Sequence, residues 1–78
     1  STADGGRAGL IEDVVVNAEH RGMGIGRLLL EHLTEWAEQH HLTRLRLLAD
    51  LDNQPALDFY TKQNWERTRL LAFRKALQ

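Results

Sequence analysis

Residues 21–26 read Arg-Gly-Met-Gly-Ile-Gly and lie between a β-branched run at 14–16 and a long segment with helical spacing. In residues 24–41, apolar side chains recur at intervals of three and four, which is typical of one face of an amphipathic helix. A strand, a glycine-rich loop and a helix in this order predict that the helix begins at the loop. The members of the apolar face are Ile25, Leu28, Leu29, Leu33, Trp36 and Ala37.

The loop predicts a site for an anion, most naturally a phosphate. The first backbone amides of a helix have no partner within the helix, and the helix dipole is positive at that end. Glycine allows positive φ angles and a close approach of the backbone to a ligand. The spacing excludes two nucleotide-binding loops, because Arg27 stands where the dinucleotide fingerprint and the P-loop need glycine and lysine, respectively. The pattern that remains is R-x-x-G-x-G, formed by Arg21, Gly24 and Gly26.

The other elements follow from the same kind of pattern. A strand is predicted over residues 10–16 and a second over 44–49, with the long helix as their crossover, which gives a βαβ unit. A short helix is predicted to start at Asn53, whose side chain is a suitable cap, and to end near residue 63. Two short strands are expected within residues 65–77. The order is β-α-β-α-β-β in an α/β fold, and residues 1–9 are expected to be a flexible terminus or loop.

Composition excludes several classes of protein. The chain has 78 residues and contains no cysteine, so a disulfide framework, a thiolate metal site and a thiol nucleophile are all excluded. The net charge of −1 argues against nucleic acid as the partner. No apolar run approaches the roughly 20 residues that a transmembrane helix needs. No metal site is predicted, because the four histidines lack ligand spacing, and a cytoplasmic location is expected.

The strand, the R-x-x-G-x-G loop and the long helix together resemble motif A of the GNAT superfamily of acetyl-CoA-dependent N-acyltransferases. Residues 53–65, NQPALDFYTKQNW, resemble the second signature of that family, N-x-x-A-x-x-F-Y-x-K-x-G-F. Asn64 and Trp65 replace the usual Gly-Phe, and asparagine tolerates the left-handed backbone that glycine would supply. The resemblance covers residues 10–77. It implies a mixed sheet and the C-terminal, cofactor-binding part (10–78) of a GNAT domain whose N-terminal half has no counterpart here.

The resemblance also implies a binding mode for acetyl-CoA. The pantetheine arm would lie along residues 14–16, an amide near Val14 would polarise the acetyl carbonyl, and the loop amides would hold the pyrophosphate with added charge from Arg21 or Arg27. Asn53 would approach the cofactor from the other side. The residues assigned in this way are Val14, Val15, Val16, Arg21, Gly22, Met23, Gly24, Ile25, Gly26, Arg27 and Asn53.

Direct transfer of the acetyl group to an amine of a small molecule or protein needs two proton transfers. An amine like that of lysine, with a pKa of about 10.4, must be deprotonated before it attacks. Glu12 is the candidate base, with Asp13 as a weaker one because adjacent strand residues point to opposite faces. Tyr60 is the candidate acid for the leaving thiolate, and the alternative for Tyr60 is simple core packing.

A second function class is open. As an incomplete fold, the chain is also compatible with a non-catalytic acyl-CoA-binding or oligomerising module. The exposed edge of the first strand would then favour a homodimer or pairing with another chain, because an unpaired strand edge is a template for further strands.

Overall fold

The architecture is that of a computed structural model, which describes residues 6–12, 14, 16 and 18–78. The described residues form a two-stranded sheet and two α-helices, which confirms the α/β class. A short 3-10 turn leads into the glycine loop. The elements in chain order are β1 (Ala8–Ile11), the 3-10 turn (Ala18–His20), α1 (Ile25–Gln39), β2 (Arg44–Leu47) and α2 (Gln54–Lys62).

The two strands are parallel and joined by α1, as the crossover pattern predicts. Ala8 is paired with Arg44 and Ile11 with Leu47, in register. One further bond continues the ladder at its far end, where Leu48 N–H donates to the carbonyl of Ile11 at 3.0 Å. The predicted strand over residues 10–16 is therefore wrong at both ends, because β1 begins at Ala8 and ends at Ile11. Val14 and Val16 follow without strand structure, and Val15 lies outside the described residues.

The first residues of β1 lie very close to β2. A Cβ atom on Gly9 would lie 2.9 Å from Leu45 Cδ2, which is shorter than such atoms tolerate. Immediately before β1, the carbonyl of Arg7 accepts a bond from Thr43 N–H at 2.8 Å. The small residues that suggested a flexible terminus over 1–9 thus include part of a strand, because their size lets β2 approach.

Both helices lie close to their predicted positions. Leu30 and Ala37 of α1 are the buried apolar side chains among the described residues, and Leu33 is half-buried beside them. Helix α2 begins after Asn53 with a proline in its first turn and ends before Asn64, whose φ is 66°. The left-handed backbone expected of Asn64 is confirmed.

The two strands predicted within residues 65–77 are absent. Residues 65–78 carry no strand, and the side chains of Leu71, Phe73 and Leu77 are 81%, 93% and 86% exposed. A strand is stable only beside a neighbour that completes its backbone hydrogen bonds. No backbone–backbone bond joins this described segment to β1 or β2. The described sheet is consequently parallel rather than mixed.

The accessible surface of the chain is large for its mass. It amounts to 7171 Å² for 8.9 kDa, whereas a folded monomer of that mass exposes about 4,800 Å². Several large apolar side chains of α1 contribute to the difference, including Trp36 at 52% and Leu28 at 48% exposure. Among the described residues, neither helix is sufficiently long and apolar to cross a membrane.

Candidate functional site: the start of the first helix

Helix α1 begins with backbone amides that donate to no capping side chain and that, within the described residues, precede the first hydrogen bond of the helix. Its N-cap is Gly24, which has a φ of 77° and no side chain to accept a hydrogen bond. The first bond of the helix runs from Leu28 N–H to the carbonyl of Gly24 at 3.0 Å. The amides of Ile25, Gly26 and Arg27 therefore precede the intrahelical ladder.

Two residues of the glycine loop have a left-handed backbone conformation. Gly22 has a φ of 80° and Gly24 a φ of 77°, positive values of the kind that glycine allows. Met23 lies between them with its side chain 65% exposed. Gly26, by contrast, belongs to the first turn of α1 and has no positive φ.

The two arginines that sequence reasoning left as alternatives differ in position. The Arg21 Nε–H donates to the carbonyl of Val16 at 3.2 Å and so ties the loop to the preceding segment. Arg27 Nη2 lies 3.7 Å from the position that a Gly24 Cβ would occupy. The same guanidinium pairs with Glu31 through Nη1 at 3.3 Å, and both side chains are about half exposed. The structure thus places the Arg27 guanidinium beside the open helix end.

Gly26 is held against the second helix by an aromatic ring. A Cβ atom on Gly26 would lie 3.1 Å from Phe59 Cζ and 3.7 Å from Val16 Cγ2. The ring of Phe59 therefore occupies the space that any larger residue at position 26 would need. Sequence reasoning assigned Gly26 to the cofactor and overlooked Phe59, although the adjacent Phe-Tyr pair of the second signature was the available signal.

Tyr60 is the residue that follows Phe59 in α2. Its ring is tilted by 58° to that of Phe59, with 5.5 Å between the centroids, and the residue is half-buried. Helix α2 thus brings the candidate acid next to a residue that contacts the first turn of α1. Glu12, the candidate base, is exposed one residue beyond the end of β1, and Asp13 lies outside the described residues.

The Asn53 side chain caps α2. Its Oδ1 accepts a hydrogen bond from Ala56 N–H at 3.2 Å, so the predicted cap is confirmed. The side-chain amide nitrogen remains the group through which Asn53 could contact a ligand.

The donor set at the start of α1 fits a diphosphate. Three amides ahead of the helix ladder, a positive helix dipole and one guanidinium supply hydrogen bonds and charge of the sign that a phosphate group needs. Among the described residues, no cluster of His, Asp or Glu has the geometry of a metal site.

A sequence profile of the acetyltransferase (GNAT) family matches residues 2–65. The chain belongs to this family. A streptothricin acetyltransferase of Escherichia coli is 38% identical over 52 residues, which are 67% of this chain and 30% of that protein. Streptothricin acetyltransferase A of Bacillus subtilis (strain 168) is 38% identical over 56 residues, 72% of this chain and 32% of that protein.

Two solved structures share the GNAT-like fold of the chain. A candidate acetyl transferase from Pyrococcus furiosus has a TM-score of 0.80 at 31% identity, over 99% of this chain and 50% of that one. An integron cassette protein from the mobile metagenome of V. cholerae has a TM-score of 0.80 at 29% identity, over 88% and 43%. The chain therefore spans about a third of the length of these curated relatives and at most half of the solved chains, as a partial fold does.

Proposed function

We propose that this chain is the acetyl-CoA-binding part of an N-acetyltransferase that moves the acetyl group directly to an amine. The observation that carries the proposal is the open start of α1, where glycine replaces a capping side chain and leaves three amides available. Membership of the GNAT acetyltransferase family supports acetyl transfer as the reaction.

The pyrophosphate of acetyl-CoA is assigned to the loop and the first turn of α1. The amides of residues 22–27 donate to its oxygens, and Arg27 adds charge from its place beside Gly24. The acetyl-bearing arm is assigned to the segment after β1, with the amide of Val14 as a donor to the acetyl carbonyl. This assignment is supported by the end of the ladder between β1 and β2: among the described residues, its last bond runs from Leu48 N–H to the carbonyl of Ile11.

The proposed transfer balances two protons. Glu12 accepts a proton from the acceptor ammonium, directly or through a water, and the amine nitrogen then attacks the acetyl carbon. The C–S bond breaks, and Tyr60 donates its proton to the leaving thiolate. The nitrogen loses its second proton as the amide forms, and this proton returns through water to the Tyr60 phenolate, so that the net proton released is the one held by Glu12. A thiol has an ordinary pKa of about 8.5 against about 10 for a phenol, so the phenol is protonated at neutral pH and available as the acid.

The acceptor is proposed to be a small molecule with a free amine. Two relatives, each 38% identical to this chain, are named streptothricin acetyltransferases. Streptothricin is therefore the first acceptor to test. A protein amine is the alternative class of acceptor.

A second candidate is a non-catalytic acyl-CoA-binding or oligomerising module. The large exposed surface favours it, because 7171 Å² exceeds the expectation for a folded monomer by an amount that an obligate interface covers. The partner in that case is a second copy paired through the free edge of β1, which is bonded only to β2 among the described strands.

The decisive experiment is a thiol-release assay with acetyl-CoA and streptothricin. The chain contains no cysteine, so a thiol reagent detects only the released coenzyme. We expect release that requires the acceptor and that falls about a hundredfold or more in Tyr60→Phe. Calorimetry should give the same acetyl-CoA affinity for both proteins.

The controls separate the two candidates. Release without acceptor would indicate hydrolysis rather than transfer, so an acceptor-free reaction accompanies each measurement. Saturable acetyl-CoA binding with no transfer to streptothricin, lysine or a polyamine, by a sample of known mass in solution, would favour the non-catalytic module. No acetyl-CoA binding by the folded protein would contradict both the acetyltransferase and the acyl-CoA-binding module, and a monomeric mass in solution would contradict the oligomerising one.

A further inference from the structure

The contact between Gly26 and Phe59 joins two parts of the molecule that sequence reasoning treated separately. Gly26 lies in the first turn of α1, whose amides are the proposed anion site, and Phe59 lies in the second turn of α2. The 3.1 Å separation between Phe59 Cζ and the place of a Gly26 Cβ leaves no room for a methyl group without a shift of the ring.

We infer that Phe59 is a positioning residue, whose ring on Gly26 sets where Tyr60 lies relative to the start of α1. Tyr60 follows Phe59 in the same helix, and their rings are in contact at a centroid distance of 5.5 Å. A displacement of the Phe59 ring is therefore passed to the phenol. The inference rests on the proposed function for its catalytic consequence, whereas the geometric coupling does not depend on it.

Helix α2 is closed by hydrogen bonds at both of its ends. Asn53 caps its start through the bond from Ala56 N–H at 3.2 Å. Its end is closed by two bonds, from Asn64 N–H to the carbonyl of Thr61 and from Trp65 N–H to the carbonyl of Tyr60, each at 3.0 Å. Because hydrogen bonds close both ends of this nine-residue helix, we expect it to shift as a unit rather than fray when one of its side chains is displaced.

The expected loss of kcat follows from the strong dependence of the catalytic rate on the position of the reacting groups. A misplacement of about 1 Å by a mutation distant from the reacting atoms costs up to about a hundredfold in rate. The shift needed to admit a methyl at Gly26 is a few tenths of an ångström. We therefore expect a fall of about tenfold in kcat when the contact is crowded by Gly26→Ala or opened by Phe59→Leu.

The two substitutions should compensate for each other. Gly26→Ala adds a methyl where Phe59→Leu removes part of a ring, so the double variant restores a filled contact. We expect kcat of the double variant within about threefold of the parent, where independent effects would multiply to about a hundredfold. The affinity for acetyl-CoA should stay within about threefold in Phe59→Leu, because Phe59 supplies no group to the proposed anion site, so that the loss appears in kcat.

Gly22→Ala is the matched control. Gly22 belongs to the same loop and has a φ of 80°, but no atom lies within 4 Å of the place of its Cβ. Its substitution strains the loop without pressing on Phe59. The effects of Gly22→Ala and Phe59→Leu should therefore multiply, with no compensation in their double variant.

A second readout makes the inference independent of turnover. Tyr60 is the one tyrosine of the chain, so the tyrosine ring resonances in an NMR spectrum report its surroundings without further assignment. Gly26→Ala should move these resonances in the parent background and much less in the Phe59→Leu background, where the ring that the added methyl displaces is absent. Each comparison is made within its own background, because Phe59→Leu by itself removes the magnetic effect of a ring whose centroid lies 5.5 Å from that of Tyr60. Circular dichroism at the same temperature establishes that each variant is folded.

The outcomes are distinct. A movement of the Tyr60 resonances on Gly26→Ala that requires the Phe59 ring, in a protein without acetyl transfer, would contradict the proposed function and support the coupling. Effects on the Tyr60 resonances that add in the double variant, or resonances that stay unmoved in Gly26→Ala, would overturn the inference even if the protein is an active acetyltransferase.

Discussion

The two helices of this chain end in the same way and begin in opposite ways. At their C-terminal ends, His41 (φ 60°) and Asn64 (φ 66°) adopt the left-handed conformation. In both, the next amide donates back across the final turn, from Leu42 to Ala37 and from Trp65 to Tyr60. At their N-terminal ends, α2 is capped by a side chain, whereas α1 starts at a glycine.

The difference between the two helix starts indicates that the cap of α2 serves stability, whereas the uncapped start of α1 serves function. A capping side chain contributes about 1 kcal/mol to a helix, and α2 has one. Helix α1 is longer, carries the buried side chains of the core and lacks a cap, so its uncapped start is not a consequence of weak structure. In the proposed function, the ligand takes the role at α1 that Asn53 has at α2. The following changes test this comparison, in order of expected effect.

Gly24→Asp should have the largest effect, because it gives α1 the cap that α2 has. The new carboxylate would accept the first-turn amides and repel a diphosphate, so we expect the affinity for acetyl-CoA to fall by about a hundredfold or more. Gly24→Asn is the matched control, since asparagine tolerates the φ of 77° and carries no charge. Calorimetry measures both, and equal affinities for the two variants would contradict a charge effect.

Asn53→Ala should make the start of α2 resemble that of α1. Loss of the bond from Ala56 N–H removes about 1 kcal/mol from the free energy of unfolding. Urea denaturation measures this change, and Asn53→Asp, which keeps an acceptor oxygen, is the control. If Asn53→Ala and Asn53→Asp unfold at the same urea concentration, the cap contributes nothing.

The left-handed residues at the C-terminal ends of the two helices predict a gain in stability when either is replaced by glycine. His41→Gly and Asn64→Gly should each stabilise the protein, because glycine adopts positive φ without a steric cost. We expect up to about 1 kcal/mol for His41 and less for Asn64, since asparagine tolerates this backbone better. Thermal denaturation compares the two variants, and a lower midpoint for either would show that its side chain has another stabilising contact.

Glu31→Gln should have the smallest effect. The ion pair with Arg27 at 3.3 Å is about half exposed, so its loss changes stability by less than about 0.5 kcal/mol. The change also frees the Arg27 guanidinium beside the proposed anion site. We expect acetyl-CoA affinity to rise by up to about threefold at low salt, a gain that calorimetry at high salt should abolish.

Local chemistry allowed much of this to be predicted from the sequence. The glycine spacing located the start of α1, Asn53 located the start of α2, and the left-handed backbone was expected at Asn64, because capping and positive φ depend on one or two residues. The start of β1 was not predictable in this way, since Ala8 and Gly9 have no strand preference and are fixed by the close approach of Leu45.

Features that depend on distant residues were missed. The contact of Phe59 with Gly26 joins residues 33 apart, and only the packing of the two helices reveals it. The strands predicted within residues 65–77 have the right side chains for strands but no neighbour in the described sheet. A pattern specifies which residues favour an extended backbone, whereas pairing requires a second strand.

The most direct test of the account is an NMR titration of the isotope-labelled chain with acetyl-CoA, observed through its backbone amides. We expect the largest shifts at residues 22–27, with much smaller shifts at Ala56, whose amide is already bonded to Asn53. The capped start of α2 thus serves as an internal reference for the open start of α1. Saturable binding with its largest shifts away from residues 22–27 would contradict the assignment of the open helix start as the anion site.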